Sequence, residues 1–266
     1  MYVSLNEALT KGHGEWRSFT CPIHDDSTPS ARVNVTTGKW ICMVCGTKGK
    51  STNYEPPERL VIDKVRRLDS ETPVIAESFL DLFDSTGPGE YWSQRFTQEA
   101  CEHFRLGYDS VQSKSVYPIR NIHGEPLGVV HRNHPGEKPK YRYPRGINTS
   151  ELLFGYHEIE CQTPVVVVEG APDVIALWEI GIPAVGTFGA RLLPAQQDLL
   201  EALQPALVLV AYDQDLAGRT GAGKATAALL SQGVRAKTAF WRGYNDPGEM
   251  PADTRKEIFE KCLARG

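Results

Sequence analysis

Two carboxylates stand one residue apart where an apolar segment of the chain ends. The segment LVLVAY, residues 207–212, is followed by Asp213 and Asp215, and a second apolar run, VVVV at residues 165–168, is followed by Glu169. Residues two apart in a strand face the same side, so Asp213 and Asp215 should emerge together. Neighbouring carboxylates repel each other and cost free energy to desolvate, so this group needs water or a cation.

These acids are predicted to converge on a divalent metal ion. The carboxyl ends of parallel strands meet along one edge of a sheet, and open α/β sheets bind their ligands there. Asp173 begins the helix after Glu169 and should point into the same crevice. Oxygen ligands of this kind suit Mg²⁺ or Mn²⁺. The alternative is that each acid only caps the helix that follows it.

A cluster of cysteine and histidine near the N-terminus has the spacing of a zinc site. Two residues separate Cys21 from His24, and two residues separate Cys42 from Cys45. Two such pairs are typical of tetrahedral Zn²⁺, and four protein ligands predict a structural ion. The alternative is a set of buried thiols with an exposed histidine. The other cysteines lack this spacing and are predicted to be core residues: Cys101, Cys161 and Cys262.

The charge of the chain is unevenly distributed. The 266 residues are 41% hydrophobic and 23% charged, which is typical of a folded protein, and the formal net charge is −4. Residues 112–146 nevertheless contain seven basic residues and only Glu125 and Glu137 as acids, which keeps a nucleic-acid partner open. No apolar run approaches the length of a membrane span and no signal segment is present, so we expect a cytoplasmic protein without a membrane partner.

The elements that position these residues form an α/β pattern. Strands are predicted at residues 165–168, 184–188, 207–212 and 236–241, with helices from about Pro172, from Pro194, over 224–230 and over 253–263, the last capped by Asp253. Continuous apolar strands separated by helices predict a parallel sheet covered on both faces. Upstream, residues 91–108 have helical periodicity, and residues 116–122 and 126–132 predict a hairpin that turns at His123 and Gly124.

Compositional breaks predict five parts. Residues 1–52 form a zinc-binding ribbon that is too small to fold without a metal. Residues 53–71 form a linker, which contains the paired prolines of STNYEPPERL, residues 51–60. Residues 72–160 form a basic subdomain, residues 161–247 the parallel-sheet subdomain, and residues 248–266 a C-terminal helix.

The segment GRTGAGK, residues 218–224, is close to a phosphate-binding P-loop. The hydroxyl residue that follows the lysine of a P-loop is replaced by Ala225, and no second nucleotidase motif follows. We interpret the segment as a flexible turn that leads into a helix.

Several motifs together resemble one family. EGAPD, residues 169–173, and DQDLAGR, residues 213–219, are similar to the EGxxD and DxDxxGR motifs of the Toprim domain. CPIHDDSTPS and CMVCGTKG resemble the zinc ribbon of DnaG-type primases, and SQRFTQEACEHFRLGY, YPIRNIHGEPLGVVHR, PKY and LLFG resemble further segments of that family. The resemblance runs from about Cys21 to Glu249. It implies an α/β fold in which a small zinc ribbon is linked to a primase core that contains a Toprim subdomain.

The resemblance also implies an activity and roles for residues. A DNA primase joins ribonucleoside triphosphates into a short RNA primer on a single-stranded DNA template, with Mg²⁺ or Mn²⁺ at the active site. Glu169 would be the catalytic acid and candidate general base. The acids of the metal site would be Asp213, Asp215, Asp173 and Asp246. Gly248 stands where many members have a second aspartate. The family's basic positions would be Arg120, Arg132 and Lys140.

The zinc ribbon of this family resembles a template reader. Four residues are expected to stack on or pair with single-stranded DNA: Trp16, Arg17, Lys39 and Trp40. For Trp40, packing in the small core around zinc is an equal alternative. A replicative helicase is a further expected partner.

Two other functions fit parts of the sequence. A recombination mediator pairs a zinc motif with a Toprim domain and performs no catalysis, but it has no use for a basic set aimed at triphosphates. A Toprim topoisomerase or nuclease needs a larger DNA gate or another catalytic domain. We expect a compact phage-type primase or the primase part of a longer polypeptide.

Overall fold

The computed structural model describes residues 16–19, 21, 30–34, 38–50, 74–84 and 87–264. The chain divides into two units, Met1–Arg66 and Arg67–Gly266. The predicted linker, residues 53–71, lies outside the described residues. Within the described ranges, every helix is too short or too polar to cross a bilayer.

The first unit contains a four-stranded antiparallel sheet, ordered β1-β2-β3-β4. Its strands are β1 (Trp16–Phe19), β2 (Ala31–Asn34), β3 (Lys39–Cys42) and β4 (Lys48–Lys50). Its buried described side chains are Phe19, Cys21, Ala31, Val33, Trp40 and Cys42. Because so small a core contributes little hydrophobic free energy, this unit needs a further crosslink to be stable.

The second unit begins with short helices and an antiparallel sheet. A 3₁₀ helix (Glu77–Leu80) precedes α1 (Asp81–Asp84), α2 (Gly89–Ser93) and α3 (Gln98–His103). The sheet is ordered β5 (Gly107–Asp109), β6 (Lys114–Arg120), β7 (Pro126–Arg132) and β8 (Tyr141–Arg142). The predicted hairpin is confirmed as β6 and β7, and its turn contains His123 and Gly124.

Residues 91–108 do not form one helix, although their apolar periodicity is helical. A turn after Ser93 interrupts the helix, and Thr97 starts α3 as its N-cap, with the Ala100 N–H donating to Thr97 Oγ1 at 3.2 Å. Trp92, Phe96 and Phe104 still face one core, which accounts for the periodicity.

A parallel sheet follows, with the order β10-β9-β11-β12. Its strands are β9 (Pro164–Val168), β10 (Ala184–Gly186), β11 (Leu207–Val210) and β12 (Ala236–Thr238). The helices are α4 (Ala171–Trp178), α5 (Pro194–Ala202), α6 (Leu216–Ser231) and α7 (Ala252–Ala264). The four valines of β9 are fully buried, as expected for a strand covered on both faces. The predicted parallel α/β fold is confirmed.

The segment GRTGAGK is part of α6, so its interpretation as a flexible turn is wrong, and α6 begins at Leu216 rather than near Lys224. The P-loop is excluded on stronger grounds, because a P-loop lies before its helix and this segment lies inside one. Gly221 allows a close approach: a Cβ there would lie 2.2 Å from the Ala190 carbonyl oxygen. Glycine serves packing here rather than flexibility.

Two smaller predictions also need correction. Asp253 does not cap α7, because the helix already includes Ala252. Cys161 is exposed rather than in the core, whereas Cys101 is buried and Cys262 is partly buried as expected. The predicted core face of α7 is confirmed, with Phe259 fully buried.

Candidate active site and metal centre

An acidic crevice lies at the carboxyl edge of the parallel sheet. Glu169 directly follows β9, Asp173 lies in the first turn of α4, and Asp213 follows β11 after two buried residues. Asp246 is the N-cap of a 3₁₀ helix, Pro247–Glu249. These four acids and Glu249 line one cavity of about 360 Å³. The fold thus brings together acids from three separate segments of the chain.

Backbone and side-chain donors hold these carboxylates in place. The Asp213 N–H donates to Glu169 Oε1 at 3.1 Å, and Asn245 Nδ2 donates to Asp213 Oδ2 at 3.1 Å. The Gly248 N–H donates to Asp173 Oδ1 at 3.1 Å. Each hydrogen bond links a different pair of segments, so the crevice is a built arrangement rather than a chance meeting of surface acids.

Burial and mutual repulsion raise the pKa values of three of these acids. Burial, followed by the Asp213 charge, raises the pKa of Glu169 to about 7. Burial, followed by the charges of Asp246 and Asp213, raises the pKa of Asp173 to about 8. Burial and the Asp246 charge also raise the pKa of Asp213. The crevice therefore holds more negative charge than it can stabilise alone, and a bound cation would relieve this repulsion.

The donor set fits a hydrated Mg²⁺ or Mn²⁺ ion. All the acidic ligands are hard oxygens, which such ions prefer. Among the described residues, no three carboxylates have oxygens within 4.8 Å of one another. This spacing does not form an all-protein cage, and it leaves room for the waters and phosphate oxygens that Mg²⁺ usually keeps.

Asp215 lies near the crevice for a different reason from the predicted one. β11 ends at Val210, so strand alternation does not place Asp213 and Asp215 on one face. Asp215 is exposed and caps α6, with the Gly218 N–H donating to its Oδ1 at 2.7 Å. Its charge still raises the pKa of Glu169 and of Asp213, although its side chain lines the neighbouring groove.

The structure brings two of the three predicted basic residues to the crevice. Arg132 and Lys140 line the same cavity as the acids. The Arg132 guanidinium lies over the Tyr91 ring, 4.2 Å from its centroid, and over the Tyr141 ring at 5.4 Å. Within the described part of the chain, the buried Arg132 Nη1 has no hydrogen-bond partner. A donor that is buried without a protein acceptor at the crevice wall is what an anionic ligand would use.

Arg120 does not lie at this crevice. Its guanidinium donates to Glu77 Oε1 and Oε2 at 2.7 and 2.8 Å and to the Gly124 carbonyl oxygen at 2.7 Å. In the β6–β7 ladder Arg120 is opposite Pro126 and Arg132 is opposite Ser115. At about 3.4 Å per residue, the two arginines are separated by roughly 17 Å along the hairpin. The motif identified a basic residue but not the end of the strand on which it lies.

Several residues of the site were not predicted from the sequence. Arg95, Tyr91 and Tyr141 line the cavity beside the acids. Gly218, the glycine of DQDLAGR, is required by the packing: a Cβ there would lie 2.2 Å from the Asp213 carbonyl oxygen and 2.8 Å from Glu169 Oε1. The glycine of the DQDLAGR motif could have indicated this packing, because a helix that lies directly against the backbone of Asp213 requires a residue without a side chain.

The first unit places three cysteines around one point. The Sγ atoms of Cys21, Cys42 and Cys45 lie within 4.8 Å of one another, with Cys21 and Cys45 3.7 Å apart. Sulfurs about 3.8 Å apart are expected for tetrahedral Zn–S bonds of about 2.3 Å. The fourth predicted ligand, His24, lies outside the described residues. The described thiols therefore fit a zinc ion.

The environment of Cys42 favours the thiolate that a metal requires. Burial raises the pKa of Cys42, but hydrogen bonds from Ser30 Oγ and from the N–H groups of Cys45 and Val44 outweigh this effect and lower it to about 6. A low pKa favours metal binding, because the thiolate is the ligand form.

Of the two alternatives for Trp40, packing in the small core is the one that the structure shows. Trp40 is only 7% exposed and packs edge-on against Phe19, with ring centroids 5.7 Å apart. A Cβ on Gly49 would lie 2.6 Å from the Trp40 ring, so only glycine fits at the position of β4 that the indole covers. Trp40 is a core residue of the first unit. Lys39 is partly exposed, and the side chains of Trp16 and Arg17 lie outside the described part.

The class of domain that carries the acidic crevice is Toprim-like. The family described as Toprim-like matches residues 166–250, which include Glu169, Asp173, Asp213, Asp215 and Asp246. This match fits the parallel sheet and the acids that follow its strands.

The chain as a whole is similar to DNA primases. The DNA primase of Halalkalibacterium halodurans is 24% identical over 91% of this chain and 53% of its own length. The zinc-binding and RNA polymerase domains of Aquifex aeolicus primase have a TM-score of 0.59 at 20% identity, covering 96% of this chain and 80% of that one. A DnaG primase catalytic domain bound to ssDNA has a TM-score of 0.60 at 21% identity, covering 78% of this chain and 80% of that one.

These likenesses confirm the resemblance to DnaG-type primases and the predicted combination of folds. The structural matches, at about 20% identity, bear on the fold alone. The chain spans about half the length of the curated primases that it matches.

Proposed function

We propose that the chain is a DNA primase that synthesises short RNA primers on single-stranded DNA by metal-dependent nucleotidyl transfer. One observation carries the proposal: a crevice with an excess of carboxylates is faced, in the same cavity, by Arg132 and Lys140. Phosphoryl transfer requires acidic side chains that hold divalent cations and, opposite them, basic side chains that hold a triphosphate. The resemblance to DnaG-type primases supports the same conclusion.

The acids would hold Mg²⁺ or Mn²⁺. Glu169 and Asp213 are the central ligands in this proposal, Asp173 and Asp246 complete the acidic rim, and Asp215 contributes the oxygen that does not cap α6. The bound ion would neutralise charge on the attacking oxygen and on the leaving pyrophosphate.

Protein groups would carry the remaining work of the reaction. The 3′-hydroxyl oxygen of one ribonucleotide bonds to the α-phosphorus of the next, its proton passes to the Glu169 carboxylate, and pyrophosphate leaves. Burial, the largest cause of the raised pKa of Glu169, makes this carboxylate a stronger base than an exposed one, although the charge of a bound cation would lower the pKa from its metal-free value. Arg132 and Lys140 would orient the triphosphate, with the Arg132 side chain held in place against the Tyr91 and Tyr141 rings.

The first unit would bind a structural Zn²⁺ through Cys21, His24, Cys42 and Cys45. Removal of the ion would cost the unit much of its folding free energy, since its core is small. Single-stranded DNA is the proposed template partner, and the similarity to a DnaG catalytic domain that was solved bound to ssDNA supports this. Ribonucleoside triphosphates, the RNA primer, a replicative helicase and a cytoplasmic location follow from the resemblance. The basic side chains of Arg132 and Lys140, which face the acids, disfavour a non-catalytic recombination mediator.

Primer synthesis tests the proposal directly. The whole chain is incubated with single-stranded DNA of mixed sequence, ribonucleoside triphosphates and Mn²⁺ or Mg²⁺, and short RNA is measured. Wild type should make RNA, and Glu169→Gln and Asp213→Asn should each lose about 100-fold or more. Glu257→Gln is the control, because it makes the same chemical change on an exposed face of α7. Equal activity in Asp213→Asn and wild type would refute the assignment of the site.

A further inference from the structure

A buried arginine behind the crevice joins two of the elements that carry its acids. Arg255 lies on α7 and is only 6% exposed. Its Nε donates to the Pro247 carbonyl oxygen at 2.8 Å and its Nη2 to the Met250 carbonyl oxygen at 2.8 Å. Its Nη1 donates to the Ala176 carbonyl oxygen. One side chain therefore binds the backbone of two separate segments at three points.

Both of these segments carry acids that line the crevice. Ala176 lies on α4, three residues after Asp173. Pro247 is the first residue of the 3₁₀ helix whose N-cap is Asp246, and Met250 is the C-cap of that helix. The same short helix touches Asp173 directly, through the hydrogen bond from the Gly248 N–H. Helix α4 and the 3₁₀ helix are therefore joined twice. On the crevice side they are joined by the hydrogen bond to Asp173, and on the side away from the crevice they are joined by Arg255.

The residue type at position 255 needs a physical reason. A buried guanidinium costs several kcal/mol to desolvate, and apolar residues of similar volume often stabilise a core better. The Glu179 carboxylate lies 3.8 Å from Arg255 Nη1, so ideal ion pairing is not the reason. The planar fork of arginine can instead bind several carbonyl oxygens in fixed directions at once, which a lysine ammonium cannot do.

Arg255 also interacts electrostatically with the rim. The charges of Glu179, Asp173 and Asp246 all favour its protonated form and so oppose the lowering of its pKa by burial. Gly248 is held where a Cβ would lie 3.2 Å from Asp246 Oδ1 and 3.3 Å from Asp173 Oδ1. The backbone that Arg255 fixes therefore lies directly beside both acids.

We propose that Arg255 is a positioning residue that fixes Asp246 relative to Asp173 and thereby sets the affinity of the crevice for its divalent cation. The inference rests on the proposed metal-dependent function of the same crevice. Arg255 touches no reacting group; it acts through the backbone of residues 246–250 and of α4. Groups behind metal ligands commonly change metal affinity by about 10- to 100-fold when they are removed.

The test compares Arg255→Met and Arg255→Lys with a control on the same helix. Phe259→Leu reduces packing of α7 against the core, where Phe259 lies against the Trp241 ring, and it changes none of the three carbonyl partners of Arg255. Mn²⁺ binding to the whole chain is measured by electron paramagnetic resonance, at a temperature at which every variant is folded. Hydrogen exchange of the peptide 244–251 is measured without added Mn²⁺.

Arg255→Met should weaken Mn²⁺ binding about tenfold or more and speed exchange of the peptide 244–251. Arg255→Lys should fall between Arg255→Met and wild type, because an ammonium restores fewer of the three hydrogen bonds. Primer synthesis by Arg255→Met should recover toward the wild-type kcat at high Mn²⁺, while the Mn²⁺ concentration for half-maximal activity stays raised. Phe259→Leu should lower the melting temperature and leave Mn²⁺ affinity unchanged.

Two results would overturn the inference: wild-type Mn²⁺ affinity in Arg255→Met, or an equal loss of affinity in Phe259→Leu. Failure of the proposed function is distinct, because a wild-type chain that binds Mn²⁺ but makes no RNA refutes primer synthesis while the binding comparison still tests Arg255. A wild-type chain that binds no Mn²⁺ overturns both.

Discussion

Replacement of Asp173 by asparagine should stabilise the metal-free protein at alkaline pH. Asp173 is buried, and its pKa is raised to about 8 from an ordinary value of 3.8. The folded chain holds this proton more tightly than the unfolded chain does. The metal-free fold therefore loses stability as pH rises from about 4 to about 8, where the buried group must ionise. The asparagine keeps the shape of the side chain and removes only the charge.

The size of the effect follows from the pKa difference. A pKa about 4 above the ordinary value, at about 1.4 kcal/mol for each tenfold change in proton affinity, gives an upper limit of about 6 kcal/mol. Asp246 and Asp213 share the repulsion, so on the order of half of this, about 3 kcal/mol, is expected at pH 8. The asparagine Oδ1 can still accept the hydrogen bond from the Gly248 N–H, so little structural cost offsets the gain.

Urea unfolding at pH 8 and pH 5, followed by tryptophan fluorescence in buffer without added divalent cations, measures this effect. Asp173→Asn should be more stable than wild type at pH 8, with a much smaller difference at pH 5. Added Mg²⁺ should stabilise wild type more than the variant. Asp253→Asn, at an exposed position on α7, is the control and should show no comparable dependence on pH. A variant that is less stable than wild type at pH 8 would refute the reasoning, because the carboxylate would then stabilise the fold.

Three further predictions concern other parts of the molecule. Gly218→Ala should destabilise the fold by about 2 kcal/mol or more, because its Cβ would overlap the Asp213 carbonyl oxygen. Gly223→Ala has open space around its Cβ and should stabilise α6 by about 0.5–1 kcal/mol. Equal effects of the two variants on urea unfolding would contradict this. Cys45→Ser should lower the zinc content and speed hydrogen exchange in residues 38–50, with exchange in residues 164–168 unchanged; loss of protection in both would contradict independent stability of the two units. Arg132→Ala should raise the KM for ribonucleotides about tenfold or more and Arg120→Ala should not, so similar KM values for the two variants would refute the placement of Arg132 at the crevice.

The parallel-sheet fold could be predicted because its signal is local and strong. The valines of β9 and the apolar run of β11 are continuous, which is the pattern of strands buried on both faces. The acids that follow these strands are brought together by topology alone, since parallel strands end at the same edge. Glu169 and Asp213 could therefore be assigned to one crevice from the sequence alone.

The remaining features depend on geometry that sequence spacing does not carry. Arg120 and Arg132 flank one hairpin, and only its register shows that they lie at opposite ends. The start of α6 is hidden in the sequence because glycines usually weaken helices, whereas Gly218 and Gly221 are required here for close packing against other backbone. Arg255 binds three carbonyl oxygens, and because every residue offers one, no sequence pattern could have indicated its partners.

The measurement that tests the central claim most directly is anomalous X-ray diffraction from crystals of the chain soaked with Mn²⁺. The proposal predicts a manganese peak in the crevice, with oxygens of Glu169 and Asp213 at about 2.1 Å or joined to it through one water, and with Asp173 and Asp246 on its rim. A crevice that stays empty at Mn²⁺ concentrations that support primer synthesis, with manganese bound elsewhere, would contradict it.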